Sequence, residues 1–220
     1  DEVEYFFEVW DNDGVNGSKS TRSQKMIYKA PSLEEIEEKA EATSKEVKSD
    51  MENALKELQL LQQDIDELNK NMFEKKSLNW QDKQQIEDLL NRHKAVQKNI
   101  ENLQEQNRQK MEDQEKYEQV DEDLLEKQKQ LQEMMEDLLT DEMKEMMEEI
   151  QKLLEELDKD KVNEMMEEMK MSNEELEEQL DRNLELFKQL EFEQKLQEAI
   201  DKLKELAEEQ EELSEETKQD

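Results

Sequence analysis

Apolar residues recur in steps of three and four over most of this chain, beginning shortly after Pro31. These steps match the period of an α-helix and the heptad of a coiled coil. The run at residues 3–10 is different, because it is β-branched and aromatic with partial alternation, as in a strand. The pattern therefore divides the chain at Pro31 into a β segment, residues 1–31, and a helical body.

The β segment has the pattern of a hairpin. A second β-rich run covers residues 21–29, and the stretch between the two runs, residues 11–17, is dense in Asp, Asn and Gly. Two strands alone are marginally stable in water, so we expect partner strands from upstream residues, another subunit or the helical body. Because the chain begins within a strand-like run, we interpret it as part of a longer protein.

The hairpin tip is also a candidate calcium site, with Asp11, Asp13 and Asn16 as the ligands. A calcium-binding EF-hand loop has Gly at its sixth position and Glu at its twelfth. Counted from Asp11, Gly14 stands at the fourth position and Arg22 at the twelfth. The pattern therefore favours a plain turn over a metal site.

The helical body is predicted to begin with two long helices over residues 32–139. Ser32 with Glu35 forms a capping box, and the first helix is expected to end near Phe73. A reversal is predicted near residues 74–80, with Asn79 as the next N-cap. Residues 107–121 place polar side chains at core-facing positions, so we expect them to be the loosest part of the second helix.

Shorter methionine-rich helices and a C-terminal helix are predicted over residues 140–207. Thr140 is the expected cap of the first of them, and residues 158–160 are an expected joint. Ser172 with Glu175 has the spacing of another capping box and predicts the start of the C-terminal helix. Residues 208–220 are nearly all polar and are expected to fray as an acidic tail.

These elements predict a mainly α fold, a jointed antiparallel helical bundle or coiled coil preceded by a β-hairpin. The alternative is a long parallel homodimer with small interruptions, which predicts a particle well over 200 Å long. Homo-oligomers are therefore among the expected assemblies.

The negative net charge of the chain limits the classes of molecule that it is expected to bind. The net charge is −34, and 44% of the residues are charged. So acidic a surface repels nucleic-acid backbones and anionic membranes, and it favours basic proteins as partners. No apolar run is long enough to enter a bilayer as a spanning segment.

Nine of the thirteen methionines lie between Met134 and Met171. Methionine fills irregular cores, lines adaptable peptide-binding grooves and ligates Cu(I). Core filling is the favoured interpretation, and a peptide groove is the main alternative. The candidate partner-binding residues are Met143, Met146, Met147, Met165, Met166 and Met169.

No feature of the sequence indicates catalysis. Paired acids such as Glu148 and Glu149 are typical of solvated helix faces, and a thin bundle has no pocket to separate their pKa values. His93, the single histidine, falls on the heptad seam and lacks further ligands for a metal. Without a phosphate loop, nucleophile elbow or zinc motif, we expect no enzyme activity and no cofactor.

The stretches at residues 5–17, 19–24 and 29–35 resemble a family of large, uncharacterised membrane-anchored proteins of Bacteroidota. In that family, transmembrane helices precede immunoglobulin-like sandwich regions and a long Glu-, Gln- and Met-rich helical region. The resemblance implies that residues 1–31 are the last strands of a sandwich domain. It also implies a periplasmic or other extracytoplasmic location, with the membrane anchor upstream.

Two functions follow as hypotheses. The first is a scaffold or spacer that holds other envelope proteins through a helical bundle. The second is a chaperone-like module that binds apolar peptides with the methionine-rich helices of residues 134–171.

Overall fold

The computed structural model describes residues 2–12, 17–73, 75, 77–117, 121–156 and 158–219. The chain folds as two compact units, Asp1–Lys39 and Ala40–Asp220. The predicted fold class is confirmed, since a β-hairpin is followed by a mainly α, antiparallel helical bundle. The described strands are β1 (Glu2–Tyr5), β2 (Glu8–Trp10), β3 (Ser20–Arg22) and β4 (Met26–Lys29), and the helices are α1 (Leu33–Phe73), α2 (Trp80–Tyr117), α3 (Glu122–Glu136), α4 (Asp141–Glu156) and α5 (Lys159–Gln219).

The hairpin of the first unit consists of two antiparallel ladders, β1 with β4 and β2 with β3. Two residues, Phe6 and Phe7, separate β1 from β2, whereas the three residues 23–25 separate β3 from β4. The additional residue shifts the register by one, which is the arrangement of a β-bulge. Across the bulge the Phe7 N–H donates to Ser23 Oγ at 3.0 Å, and the Ser23 N–H donates to the Phe7 carbonyl at 2.9 Å.

The capping box predicted at Ser32 and the N-cap predicted at Asn79 are both present, at the starts of α1 and α2. The Glu35 N–H donates to Ser32 Oγ at 3.1 Å, and the Ser32 N–H donates to Glu35 Oε2 at 2.8 Å. At the start of α2, Asn79 Oδ1 accepts from the Asp82 N–H at 3.0 Å, and the Asn79 N–H donates to Asp82 Oδ2 at 3.0 Å. Each box satisfies amides that the first helical turn leaves unpaired.

Replacing Asn79 with alanine is expected to lower the free energy of unfolding by about 1 kcal/mol, because the first turn of α2 loses its side-chain acceptor. Urea unfolding followed by circular dichroism measures the change. Asn71→Ala is the matched control, since Asn71 is exposed inside α1 and alanine is a better helix former there. An equal loss in both variants would contradict the capping role.

Helices of the second unit pack antiparallel to their neighbours. The short connection between α1 and α2 sets this pair antiparallel, and Arg92 of α2 bonds to Glu57 and Asp64 of α1. α5 runs antiparallel to α1, because Gln59 contacts Glu177 and Asn69 contacts Glu167 through amide–carboxylate bonds of 2.9 Å. The arrangement is therefore an antiparallel bundle, as the sequence predicts.

α3 and α4 together oppose α2 and α5. The side chain of Asn107 on α2 donates to Gln132 of α3 at 2.7 Å, and Asn183 of α5 donates to the Met134 carbonyl of α3 at 3.1 Å. α4 contacts α2 through Lys94 and Gln151, 3.4 Å apart. Two consecutive short helices, α3 and α4, thus pack along the bundle where a single long helix could lie.

The prediction of one helix from Asn79 to residue 139 is wrong. α2 ends at Tyr117, and α3 begins at Glu122 with Asp121 as its N-cap. α3 then folds back against α2 and pairs with the polar stretch that was expected to be loose. The physical reason is that Asn107 and Gln132 satisfy one another in the interior, so these polar residues support a tertiary contact.

The predicted helix start at Ser172 is also wrong. α5 is continuous from Lys159 to Gln219, because Asn173 donates to the Leu58 carbonyl at 3.1 Å and anchors this stretch against α1. Residues 208–219, which were predicted to form a frayed tail, belong to α5. The predicted Thr140 cap is present, since the Met143 N–H donates to Thr140 Oγ1 at 3.3 Å.

The core of the bundle follows the predicted seams. The apolar positions of α1 and α2 that recur at heptad spacing are fully or almost fully buried. Leucine, isoleucine and methionine side chains of the other helices complete the same cluster. Its largest fully buried members are Met51, Leu58, Leu61, Ile65, Met72, Ile86, Ile100, Leu103, Met135, Leu138, Ile150 and Leu154.

Candidate functional site

Four of the six candidate methionines are core residues. Met143, Met147, Met166 and Met169 are at most 6% exposed and belong to the main hydrophobic cluster. Met146 and Met165 are partly buried and pack against that cluster. This placement favours the core-filling interpretation, because the side chains meet other helices of the same bundle.

Replacing Met143, Met146 and Met147 together with leucine is expected to preserve the fold, because the volumes are nearly equal. Each substitution should change the free energy of unfolding by less than about 1.5 kcal/mol. Circular dichroism during thermal unfolding measures this. Loss of peptide binding in a variant with an unchanged melting curve would instead favour a groove.

The calcium hypothesis for the hairpin tip concerns only one described residue, Asp11. Its Oδ1 accepts a hydrogen bond of 2.9 Å from the Lys19 N–H, and its own N–H donates to the Lys19 carbonyl at 2.9 Å. Asp11 therefore helps to close the hairpin. The other two candidates, Asp13 and Asn16, lie outside the described residues, and within those residues no group of three metal-binding side chains converges.

His93 lies in the bundle core at 1% exposure, where neither ring nitrogen has a well-formed hydrogen bond. Burial lowers the pKa of His93 to about 4, although a contact with its own backbone acts in the opposite direction. The ring is therefore neutral at physiological pH. It is a titratable residue of the bundle core.

Buried amides form polar contacts between helices that the sequence analysis missed. Asn173 is fully buried and donates to Gln62 Oε1 at 2.9 Å, besides its bond to the α1 backbone. Asn107 and Asn183 are buried on α2 and α5 and contact α3. These contacts could have been predicted from the amide residues at core positions of the heptad seam, because buried polar groups are nearly always hydrogen-bonded.

An open cleft of about 240 Å³ lies between α1 and α2. Asp64, Glu67 and Asp88 line it together with Arg92 and the apolar side chains of Leu68 and Leu89. Arg92 bonds to Asp64 and Glu57, so an ion pair spans the lining. The cleft is a polar, solvated surface and lacks the apolar enclosure of a small-molecule site.

The hairpin exposes apolar side chains on both faces. Tyr5 and Phe7 lie on one face in edge-to-face contact with their ring centroids 6.1 Å apart. Phe6 lies on the other face, where the Arg22 guanidinium stands 4.7 Å above its ring. The remaining large side chains exposed by at least half their area are Val3, Val9, Trp10, Ile27 and Tyr28.

A second exposed apolar surface follows α5 beyond the core. Leu190 is 5% exposed and is the last buried apolar residue of the helix. After it, exposed apolar residues recur at heptad spacing. We call this surface the terminal seam. It consists of the apolar residues Phe192, Leu196, Ala199, Leu203, Leu206 and Leu213, with the polar Gln210 at the remaining heptad position.

Ion pairs cover much of the remaining bundle surface. Lys170 of α5 bonds to Asp66 of α1 at 2.6 Å, and Lys127 of α3 bonds to Glu193 of α5 at 2.7 Å. Such exposed pairs contribute about 0.2–1 kcal/mol each, so they add little to the stability of the bundle. Within the described residues, no helix is both long and apolar enough to cross a bilayer.

No known protein family, curated protein or solved structure matches this chain. The resemblance to the membrane-anchored Bacteroidota family therefore stays a prediction.

Proposed function

We propose that this chain is a non-enzymatic scaffold or spacer region of a membrane-anchored cell-envelope protein. The observation that carries the proposal is α5, a continuous helix of 61 residues, about 90 Å long at 1.5 Å per residue. Its first half is held in the bundle core as far as Leu190, and the remainder presents the terminal seam. A packed bundle that extends into an exposed helix suits the holding of proteins at a set distance.

The hairpin and the charge support an interaction role. Contiguous exposed apolar residues are typical of protein contacts, and the hairpin exposes them on both faces. A net charge of −34 favours protein partners with basic surfaces over nucleic acids. The burial of the methionines supports the scaffold over the peptide-binding alternative.

Cysteine labelling in intact spheroplasts tests the location. The chain has no cysteine, so Glu178→Cys introduces a single exposed thiol on α5. A membrane-impermeant maleimide should label this thiol without lysis of the cell. Leu180→Cys is the control, because Leu180 is 0% exposed and its replacement should react only after denaturation. Labelling of Glu178→Cys that requires lysis would contradict an extracytoplasmic location.

Photo-crosslinking in the same cells tests the interaction role. A photoreactive phenylalanine analogue at Phe7, which is 65% exposed, should form adducts of a few discrete masses. The same analogue in place of the partly buried Met146 should form few adducts. A broad range of adducts from Met146 and none from Phe7 would instead indicate a chaperone-like module.

A further inference from the structure

The terminal seam has the spacing of a coiled-coil interface. Its seven residues alternate steps of four and three from position 192 to position 213, so they occupy consecutive a and d positions of the heptad. Phe192, Leu203, Leu206 and Leu213 are 59–67% exposed, and Leu196 is 51% exposed. In the described part of the chain, other helices leave this seam uncovered.

We propose that the terminal seam binds the same seam of a second copy of this chain in an antiparallel coiled coil. In this register Leu203 packs against Leu206 of the second copy, and Leu196 packs against Leu213. Ala199 lies opposite Gln210, so a small side chain leaves room for the amide. The inference is independent of the proposed function, since it depends only on α5.

The distribution of charge selects the antiparallel orientation. Residues 192–204 contain three acidic and three basic side chains, whereas residues 205–217 contain seven acidic and no basic side chains. A parallel pair would bring the two acidic halves together. An antiparallel pair places each acidic half against the balanced half of the other copy, which reduces the repulsion.

The positions beside the seam agree with this orientation. In antiparallel coiled coils, residues at the g positions of the two helices face each other, and so do residues at the e positions. Lys202 then faces Glu209 of the second copy, and the twofold axis repeats this pair. Ile200 faces Ala207 of the second copy, which brings another exposed apolar pair together. In a parallel pair, Lys202 would face Ala207 and gain no charge partner.

The length and place of the seam also suit self-association. Residues 192–217 span about 39 Å, which is close to four heptads. They begin directly after Leu190, the last buried apolar residue of α5, so the hydrophobic cluster of the bundle leaves the seam free to pair.

Sedimentation equilibrium of the chain at about 10–100 µM and physiological salt tests the proposal. We expect a mass twice the monomer value of 26.6 kDa. The double variant Leu203→Lys/Leu206→Lys should sediment as a monomer. Leu60→Lys is the control, because Leu60 is 49% exposed on α1, and it should remain dimeric. A monomeric native chain, or a dimer that survives the double variant, would overturn the proposal.

Charge exchange tests the orientation. Lys202→Glu and Glu209→Lys should each raise the dimer dissociation constant at least ten-fold, since each places like charges opposite one another. The variant carrying both substitutions should return to within about three-fold of the native value, and a mixture of the two single variants should form heterodimers. Parallel pairing predicts no such recovery, and that result would overturn the antiparallel register.

Discussion

Replacement of Leu61 with alanine should lower the free energy of unfolding by about 3 kcal/mol. Leu61 is 0% exposed and belongs to the central apolar cluster of the bundle. The substitution removes buried methyl groups and leaves a cavity that long, rigid helices fill poorly. Comparable changes in protein cores cost about 2–5 kcal/mol. Urea unfolding at neutral pH, followed by circular dichroism, measures the loss.

The adjacent residue provides the matched control. Leu60 has the same side chain on the same helix but is 49% exposed. Leu60→Ala should therefore change the free energy of unfolding by less than about 0.5 kcal/mol. Similar losses at both positions would mean that α1 packs with a different face from the one described.

Replacement of His93 with leucine should stabilise the protein increasingly as the pH falls. The pKa of His93 is about 4 in the folded chain, below its ordinary value of 6.5, because burial disfavours the charged ring. Above pH 6.5 the ring is neutral in both the folded and the unfolded chain, so it causes no loss of stability. As the pH falls from 6.5 toward 4, the unfolded chain binds the proton first, and the free energy of unfolding decreases. At 1.36 kcal/mol for each unit between the two pKa values, the loss in the free energy of unfolding is about 3 kcal/mol.

Denaturant unfolding at about pH 7.5 and about pH 4 measures this effect. The advantage of His93→Leu over the native chain should grow by about 3 kcal/mol between the two conditions. The carboxylates titrate in both proteins, so their contribution cancels in the comparison. His93→Gln is the control that keeps a polar side chain without a proton to gain, and it should show the same pH-dependent part. Equal pH profiles for all three proteins would refute the buried, neutral histidine.

The local pattern of residues predicts which parts of the chain are helical, but it does not always predict where one helix ends and the next begins. The caps at Ser32 and Asn79 could be predicted because their hydrogen bonds join residues three apart. Ser172 and Glu175 have the same spacing, yet they lie inside α5, where the buried Asn173 bonds to α1. A capping sequence can therefore start a helix, but contacts with neighbouring helices decide whether it does.

In residues 80–139 the structure has a helix break that the sequence did not predict. The polar stretch that includes Asn107 suggested a loose helix, because a single chain reveals no partner for a core amide. Gln132 supplies that partner after α3 folds back on α2. The partner is 25 residues away, a distance at which periodicity carries no information about pairing.

The sequence by itself determined the change from strand to helix near Pro31, the mainly α class, the core seams and the acidic surface. These properties depend on composition and on contacts between residues three or four apart. Only the tertiary structure decided which polar core residues pair, where α2 ends and which apolar stripe stays uncovered. The terminal seam has the same heptad pattern as the buried seams, and periodicity does not reveal whether a partner helix lies against it. Burial is a property of the assembled helices, and it separates the apolar residues that form the core from those available to a second copy.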